Sequence, residues 1–496
     1  MGCMPACKFK PLNNKRKNQG VNNLYRDLRE FLAKLEEEGQ LVRYTDEILP
    51  EPDVRHICRA SGDMPNGPAV LMNNIKGYKG KRLVVNVHGS WANHALSFGM
   101  DKDTSPKEQF HELCNRWDNY PGEVKFVDNA PCQEVVIKDD INLFDLLPLY
   151  RINPYDGGYY FGKGNVISQD PDEPDNLDKE NVGIYRMQVQ GKDIIGMQAL
   201  AFHDISIQLA KVEAENKPLP VAIALGVDPV LSFIASTPIY YDQSEYKFAA
   251  ALNGIPQELT KAVTSNINVP AGAEFVLEGE IIPRQRFPEG PFGEFPGSYS
   301  GIRKQVRIKV KAITHRKDPI FENLYIGRPW TEADFLLGLN TCVPLYRQLK
   351  ETMPEVEAVN ALYQHGLTAI IATGNRFGGY AKSVAMRVAS TPHGISYCKN
   401  IILVDDDVDP FDLMQVMWAL STRVRADKDV IVIPHTPGMP LDPASEPPGM
   451  GNKLIIDATS PAPPDSVMRE VRMVDRMPQA LEVEKIIAEL QKSAGK

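Results

Sequence analysis

Two glutamates five positions apart, Glu289 and Glu294, enclose a Gly-Pro-Phe-Gly turn. Carboxyls held by so constrained a loop can sit in different environments, one beside a cation and one kept protonated, which is what a proton donor near neutral pH requires. The plain alternative is a solvated turn. A second constellation runs Asn181-Val-Gly-Ile-Tyr-Arg186 and continues, past a turn at Gly191-Lys192, to His203. In a hairpin with a three-residue loop, Gln190 faces Ile194 and Asn181 then faces His203. An amide oxygen beside an imidazole suits a cation such as magnesium or manganese; otherwise Asn181 caps a strand and His203 is a polar strand end. Ser236-Thr237-Pro238 and Ser244-Glu245-Tyr246 bring hydroxyl and carboxylate oxygens that could serve a monovalent and a divalent cation, or form a loop and a helix cap.

Other motifs carry less. Asp405-Asp406-Asp407-Val408-Asp409-Pro410 lacks the Gly and closing Glu of a calcium loop, and Asp409-Pro410 reads as the cap and first residue of a helix. Gly378-Gly379-Tyr380-Ala381-Lys382 could offer backbone amides and an ammonium to a phosphate, as many Gly-Gly loops could.

The elements that must position these groups fall into three textures. Residues 1–22 are basic and polar and read as a flexible tail. Over 23–120, Leu24, Leu28, Phe31, Leu32 and Leu35 recur at helical spacing up to Gly39, and short apolar runs follow, predicting a small α/β domain. Over 121–320, partial period-two patterning in 181–190, 193–202, 274–282 and 306–315 predicts a barrel-like β domain with one helical excursion near 205–215. In the clearest of these, Phe275, Leu277 and Ile281 face one way and Glu278 and Glu280 are assigned outward. Over 321–475, strands at 368–372 and 400–404 and a helix at 411–422 predict a second α/β domain with parallel pairing. Six prolines between Pro434 and Pro448 predict a shaped loop rather than an element. Residues 476–496 close the chain with an amphipathic helix suited to a subunit contact.

Composition narrows the function classes. The 496 residues are 43% hydrophobic and 24% charged, an ordinary globular balance. A formal charge of −9 with no basic face argues against nucleic-acid binding. Seven scattered cysteines without CxxC spacing predict reduced thiols and a cytoplasmic setting. No stretch approaches the roughly 18 apolar residues of a membrane span, and Met1-Gly2-Cys3-Met4-Pro5-Ala6 matches neither a myristoylation nor a secretory pattern.

Taken together, NVGIYRMQ (181–188), SEYKFAA (244–250), EGPFGEF (289–295) and DDDVDPFDLMQVMWA (405–419) resemble the UbiD family of prenylated-flavin decarboxylases, over about residues 24–475. GKGNVISQDP (162–171), ENVGIYRMQV (180–189), YIGRPWTEADFLLG (325–338) and KLIIDAT (453–459) look most like its hydroxybenzoate and protocatechuate decarboxylases. The resemblance implies a central split-β-barrel flavin-binding domain between two α/β domains. It implies reversible, non-oxidative decarboxylation of a hydroxylated benzoic acid, such as 3,4-dihydroxybenzoate or 4-hydroxybenzoate, through a covalent adduct with prenylated FMN.

Arg186, Glu289 and Glu294 match the family's catalytic network: Arg186 orients the carboxylate beside a charged Glu289, and Glu294 delivers the proton that replaces CO₂. Asn181, His203 and Glu245 match ligands of a divalent metal, manganese or magnesium, that bridges to the flavin phosphate. Ala235, Ser236 and Thr237 match a potassium-binding segment, with Ala235 in place of a serine. Ile184 and Tyr185 fall in the flavin-contacting stretch, and Lys382 matches a lysine near the flavin phosphate. Phe202 stands where some members carry a polar residue. Arg328, Trp330 and His435 are candidates for substrate contact, His435 through a phenolic oxygen. Implied partners are a flavin prenyltransferase supplying the cofactor and further copies of the chain, as a homodimer or homohexamer. Alternatives are a carboxylating direction, a non-aromatic unsaturated acid, or a split-barrel flavin oxidoreductase, for which no GxGxxG loop is present.

Overall fold

The computed structural model of the chain describes residues 25–465 and 480–493; the basic tail expected over 1–22 lies outside the described residues. The first helix, Leu28–Glu37, starts where the Asp27 carboxylate accepts the Glu30 N–H and stops before Gly39, whose φ of 73° lies in the left-handed region. Its apolar stripe of Leu28, Phe31, Leu32 and Leu35 packs on Leu41, Ala69, Leu71 and Val84, each buried side chain contributing about 1.5–3 kcal/mol. Those partners belong to a four-stranded sheet in the order Leu41–Tyr44, Ala69–Met72, Arg82–Val85, Ile320–Glu322. The last strand arrives from far along the chain and pairs in parallel with Arg82–Val85.

The central sheet is the scaffold of the site. Its path runs Tyr159–Phe161, Met187–Val189, Ile194–Met197, Arg303–His315, Phe275–Ile281, Leu219–Leu225, Asn165–Gln169, Glu180–Ile184, with Val135–Ile137 and Phe287–Glu289 attached to the long 303–315 strand. Glu180–Ile184 ends this path, yet the next strand in the chain, Met187–Val189, sits second from the opposite end. Tyr185 and Arg186 alone join them, so the sheet must curl into a half-barrel. The hairpin register is as expected, with the Gln190 N–H donating to the Ile194 carbonyl, but the ladder ends at Arg186 and Gln198. Asn181 instead pairs with Ser168, and His203 is the N-cap residue of the helix Asp204–Ala214, so the two do not face each other across a ladder. Glu278 is also not outward: it is buried and accepts the N–H groups of Val263 and Thr264.

After residue 330 comes the helix Glu332–Lys350 and a five-stranded sheet ordered Val356–Tyr363, Thr368–Thr373, Asn400–Asp405, Met450–Ala458, Val430–Pro437. The pairs 368–373 with 400–405 and 400–405 with 450–458 are parallel. Two expectations need correcting. The proline-rich stretch begins as a strand, Val430–Pro437, tolerated because it lies at the sheet edge. The helix after the aspartate run is capped by Asp412, which accepts the N–H groups of Met414 and Gln415, rather than by Asp409. Among the described residues no helix is long and apolar enough to cross a membrane, and Cys58, Cys114, Cys132, Cys342 and Cys398 are free and buried. The terminal helix Ala480–Ser493 exposes Ile486, Ile487 and Leu490.

Candidate active site

A cavity of about 410 Å³ lies between the half-barrel and the C-terminal domain. The dipeptide Tyr185-Arg186, held where the two ends of the sheet meet, lines it, and Arg186 organises the acidic loop. Its Nη2 donates to Glu289 Oε2 at 2.6 Å, and its Nη1 donates to Glu294 Oε1 and to Ser300 Oγ, the latter at 2.7 Å. The guanidinium also lies 5.6 Å from the centre of the Phe292 ring. The structure thus brings Arg186, Glu289 and Glu294 together, with Arg186 and Glu294 on the cavity wall and Glu289 outside it.

The loop takes this shape because two glycines allow close approach. Gly290 has a φ of 102°, and a Cβ on Gly293 would lie 2.4 Å from Asn153 Nδ2. Burial pushes the Glu294 carboxyl up, opposed by Arg186 and reinforced by Glu289. Burial alone would lower Arg186, but Glu294 and Glu289 more than compensate and raise it. One buried polar atom of the cavity wall here has no partner among the described residues, Arg186 Nε. Such an atom suits a ligand.

Asn181, His203 and Glu245 line the same cavity, from a strand, a helix N-cap and the first turn of the helix Glu245–Asn253. Glu245 Oε2 is buried without a partner, and burial drives its carboxyl well above the usual range. His203 Nδ1 accepts the Leu200 N–H, and burial lowers the ring to about 4, so the imidazole is neutral with its proton on Nε2; to bind a cation through Nε2 it must give up the Leu200 contact and move that proton to Nδ1. An orphaned carboxylate oxygen, a neutral imidazole nitrogen and an amide form a donor set that fits a divalent cation. The potassium segment fits less well: Ser236 and Thr237 line the cavity, but their hydroxyls donate to helix carbonyls, the Ser236 carbonyl accepts from Asn340, and the Ala235 carbonyl accepts from Ile184.

Four expected residues are elsewhere. Lys382 donates to the Lys428 carbonyl and Arg328 is exposed. Trp330 packs against Trp91 and Phe335, and His435 is exposed on the edge strand. None lines the cavity; the neighbours Ile326, Met439 and Leu441 do. Arg328, Trp330 and His435, the candidates for substrate contact, lie a few positions from residues that reach the wall. No sequence pattern pointed to His365, His393 or Tyr397. Here the Tyr397 ring stacks on His393 at 4.3 Å and meets His365 edge-on at 4.6 Å. A turn segment without periodicity gave no signal for this wall.

A metal could also be sought at His88, Glu322 and Glu332, whose ligand atoms cluster within 4.8 Å. Lys163 Nζ already occupies that place, 2.8 Å from His88 Nδ1, 2.5 Å from Glu322 and 2.9 Å from Glu332. The cluster is an ion network, not a metal centre.

Family models described as the N-terminal, Rift-related and C-terminal domains of UbiD, 3-octaprenyl-4-hydroxybenzoate carboxy-lyase, match residues 32–113, 125–329 and 334–458. A phenolic acid decarboxylase of Sedimentibacter hydroxybenzoicus is 56% identical over 478 residues, spanning 95% of this chain and 99% of its own. The closed form of a vanillic acid decarboxylase from that organism matches with a TM-score of 0.91 and 57% identity, covering 95% of this chain and 99% of its own; its open form matches at 0.84. The UbiD-class enzyme HmfF of Pelotomaculum thermopropionicum, solved with FMN, matches at 0.78 and 29% identity, covering 92% of this chain and 98% of its own.

Proposed function

The chain belongs to the UbiD family of carboxy-lyases, and from that premise we propose that it decarboxylates a benzoic acid bearing a para hydroxyl. A phenolic acid decarboxylase and a vanillic acid decarboxylase at 56–57% identity support the phenolic class. The ring substituents are then a matter for 4-hydroxybenzoate, 3,4-dihydroxybenzoate and vanillate to decide. An FMN-bound relative supports a flavin in the cavity, prenylated FMN by family. When bound, that cofactor supplies the electron sink for the pair left behind by CO₂.

The chain's own residues do the rest. Arg186 spends three of its five N–H donors on Glu289, Glu294 and Ser300, which leaves Nε and one Nη2 N–H for a substrate carboxylate. Glu294, whose carboxyl burial pushes up against the pull of Arg186, is the group placed to give its proton to the ring carbon that has lost CO₂. Leu200, Phe295, Ile326 and Leu336 make an apolar wall on the same cavity as Glu294. Asn181, His203 and Glu245 would hold manganese or magnesium, whose charge would offset that of a flavin phosphate. His365, His393 and Tyr397 offer polar atoms to a phenolic oxygen on the C-terminal wall. A flavin prenyltransferase supplies the cofactor, and the exposed stripe of the terminal helix supports assembly with further copies.

The single observation that carries this reading is Arg186 gripping two carboxylates at the wall of the cavity. The test is CO₂ release by flavin-loaded enzyme from the three acids, beside a Glu294→Gln variant. Turnover of at least one acid is expected, with decarboxylation and ring-proton exchange both lost in the variant. Full exchange in Glu294→Gln rejects the donor role.

A further inference from the structure

Behind the acidic loop, outside the cavity wall, lies a third carboxyl. Asp156 is 5% exposed; its Oδ2 accepts the Asn153 N–H at 2.7 Å and its Oδ1 accepts the Gly293 N–H at 2.8 Å. Gly293 immediately precedes Glu294. The clamp is tight on both sides: Gly157 N–H donates to the Pro291 carbonyl at 2.7 Å, and Asn153 Nδ2 donates to the Ile326 carbonyl at 2.8 Å. No cationic side chain pairs with Asp156 among the described residues. The nearest guanidinium, Arg186, donates to Glu289, Glu294 and Ser300 instead. One guanidinium therefore serves three buried carboxyls, and it cannot neutralise them all.

We propose that Asp156 is a positioning residue for the proton donor: by accepting the Gly293 N–H it fixes the peptide that carries Glu294, and the two carboxyls hold one proton between them, so that the pair stays protonated where a lone Glu294 would not. The proposal rests on Glu294 being the donor. The groups facing Asp156 are Glu294 and Arg186 from the site, with Glu289 beyond Arg186, and Tyr160 and Tyr299, whose hydroxyls its charge raises. Burial pushes Asp156 up to about 7, eased by the two N–H donors and reinforced by Glu294. Coupling between two carboxyls is mutual, so a charge on either holds the proton on the other.

Asp156→Asn is nearly isosteric and removes the charge; its one carbonyl oxygen can keep the Gly293 N–H, while its NH₂ then faces the Asn153 N–H and that second contact is lost. The alkaline limb of the kcat/KM profile, where Glu294 loses its proton, is expected to move down by roughly one pH unit. A second readout needs no cofactor. Because the folded-state pKa of Asp156 lies above the unfolded value of about 3.9, its contribution to stability is complete below pH 4 and is lost as pH rises through about 7. The melting temperature of Asp156→Asn should therefore fall less than that of the parent over this window. If Asp156→Asn does not fold, Asp156→Ser, a smaller neutral acceptor, is read on the same two axes. An unmoved limb together with parallel melting profiles reduces Asp156 to a loop anchor and overturns the proposal. Glu294→Gln, assayed alongside, separates the failures: if it still turns over, the donor reading falls; if it is dead and the Asp156 limb is unmoved, only Asp156's role does.

Discussion

Arg186 does two jobs that a lysine could not combine. Its planar fork spans Glu289 on one arm and Glu294 with Ser300 on the other, leaving Nε and one Nη2 N–H over. Arg186→Lys keeps the charge but not the fork, so kcat/KM should drop about 100-fold or more, while the fold, read by circular dichroism, stays intact. His203 carries a separate prediction. Its ring lines the cavity that holds the orphaned Glu245 oxygen, so His203→Ala should weaken manganese retention about tenfold or more, measured by metal analysis after dialysis; unchanged retention would exclude the site. At this scale much was legible. Charged residues in tight glycine-proline loops stand out because such a loop costs stability unless something is positioned by it, and Arg186, Glu289 and Glu294 do meet. Asp156 did not stand out, since Asp-Gly-Gly reads as an ordinary turn. Nor did Tyr397 and the two histidines, whose role depends on a domain contact that no local pattern encodes.

Among the elements, the decisive one is the loop between the 287–289 strand and Ser300, and it is held from outside. A Cβ on Gly157 would lie 2.3 Å from the Gly290 carbonyl oxygen, a backbone atom that cannot swing away. Gly157→Ala should therefore displace the Glu289–Glu294 loop. It should lower kcat at least tenfold with a smaller change in KM, since a misplaced acid–base group loses transition-state contacts more than ground-state binding; steady-state kinetics on any accepted acid would check this, and an unchanged kcat would show that the loop tolerates the shift. The strands themselves were readable from alternation, but their ends were not. The hairpin stops at Arg186 because the chain there leaves one end of the sheet for the other, which is a non-local event. Glu278 breaks the alternation rule because the turn at Val263 and Thr264 folds over it with two N–H donors, and a sequence pattern cannot see a donor arriving from elsewhere. The edge strand Val430–Pro437 was hidden by its prolines, which an edge position excuses.

The whole molecule is joined by a buried charge network that no sequence pattern announced. Lys163, from the half-barrel, is 1% exposed and reaches His88 of the N-terminal domain, Glu322 of the strand that completes the N-terminal sheet, and Glu332 at the start of the long C-terminal helix. Glu332 in turn accepts the N–H groups of Asn86 and His88. Burial would strip the charge from Lys163, but the two glutamates outweigh it and raise the ammonium. The network sits beside the cavity floor, since Gly162 and Leu324, flanking two of its members, line the cavity. Its energetics are asymmetric: removing one member of a buried ion cluster leaves uncompensated charge and costs about 3–5 kcal/mol, whereas replacing the set by apolar groups is often neutral. Lys163→Met should thus lower the urea midpoint and melting temperature markedly. Lys163→Met combined with Glu322→Leu and Glu332→Gln should recover part of that loss, because both stranded carboxylates are gone. A network that merely fills space predicts the opposite order, with the triple variant less stable than the single one, and urea unfolding of the three proteins side by side decides between them.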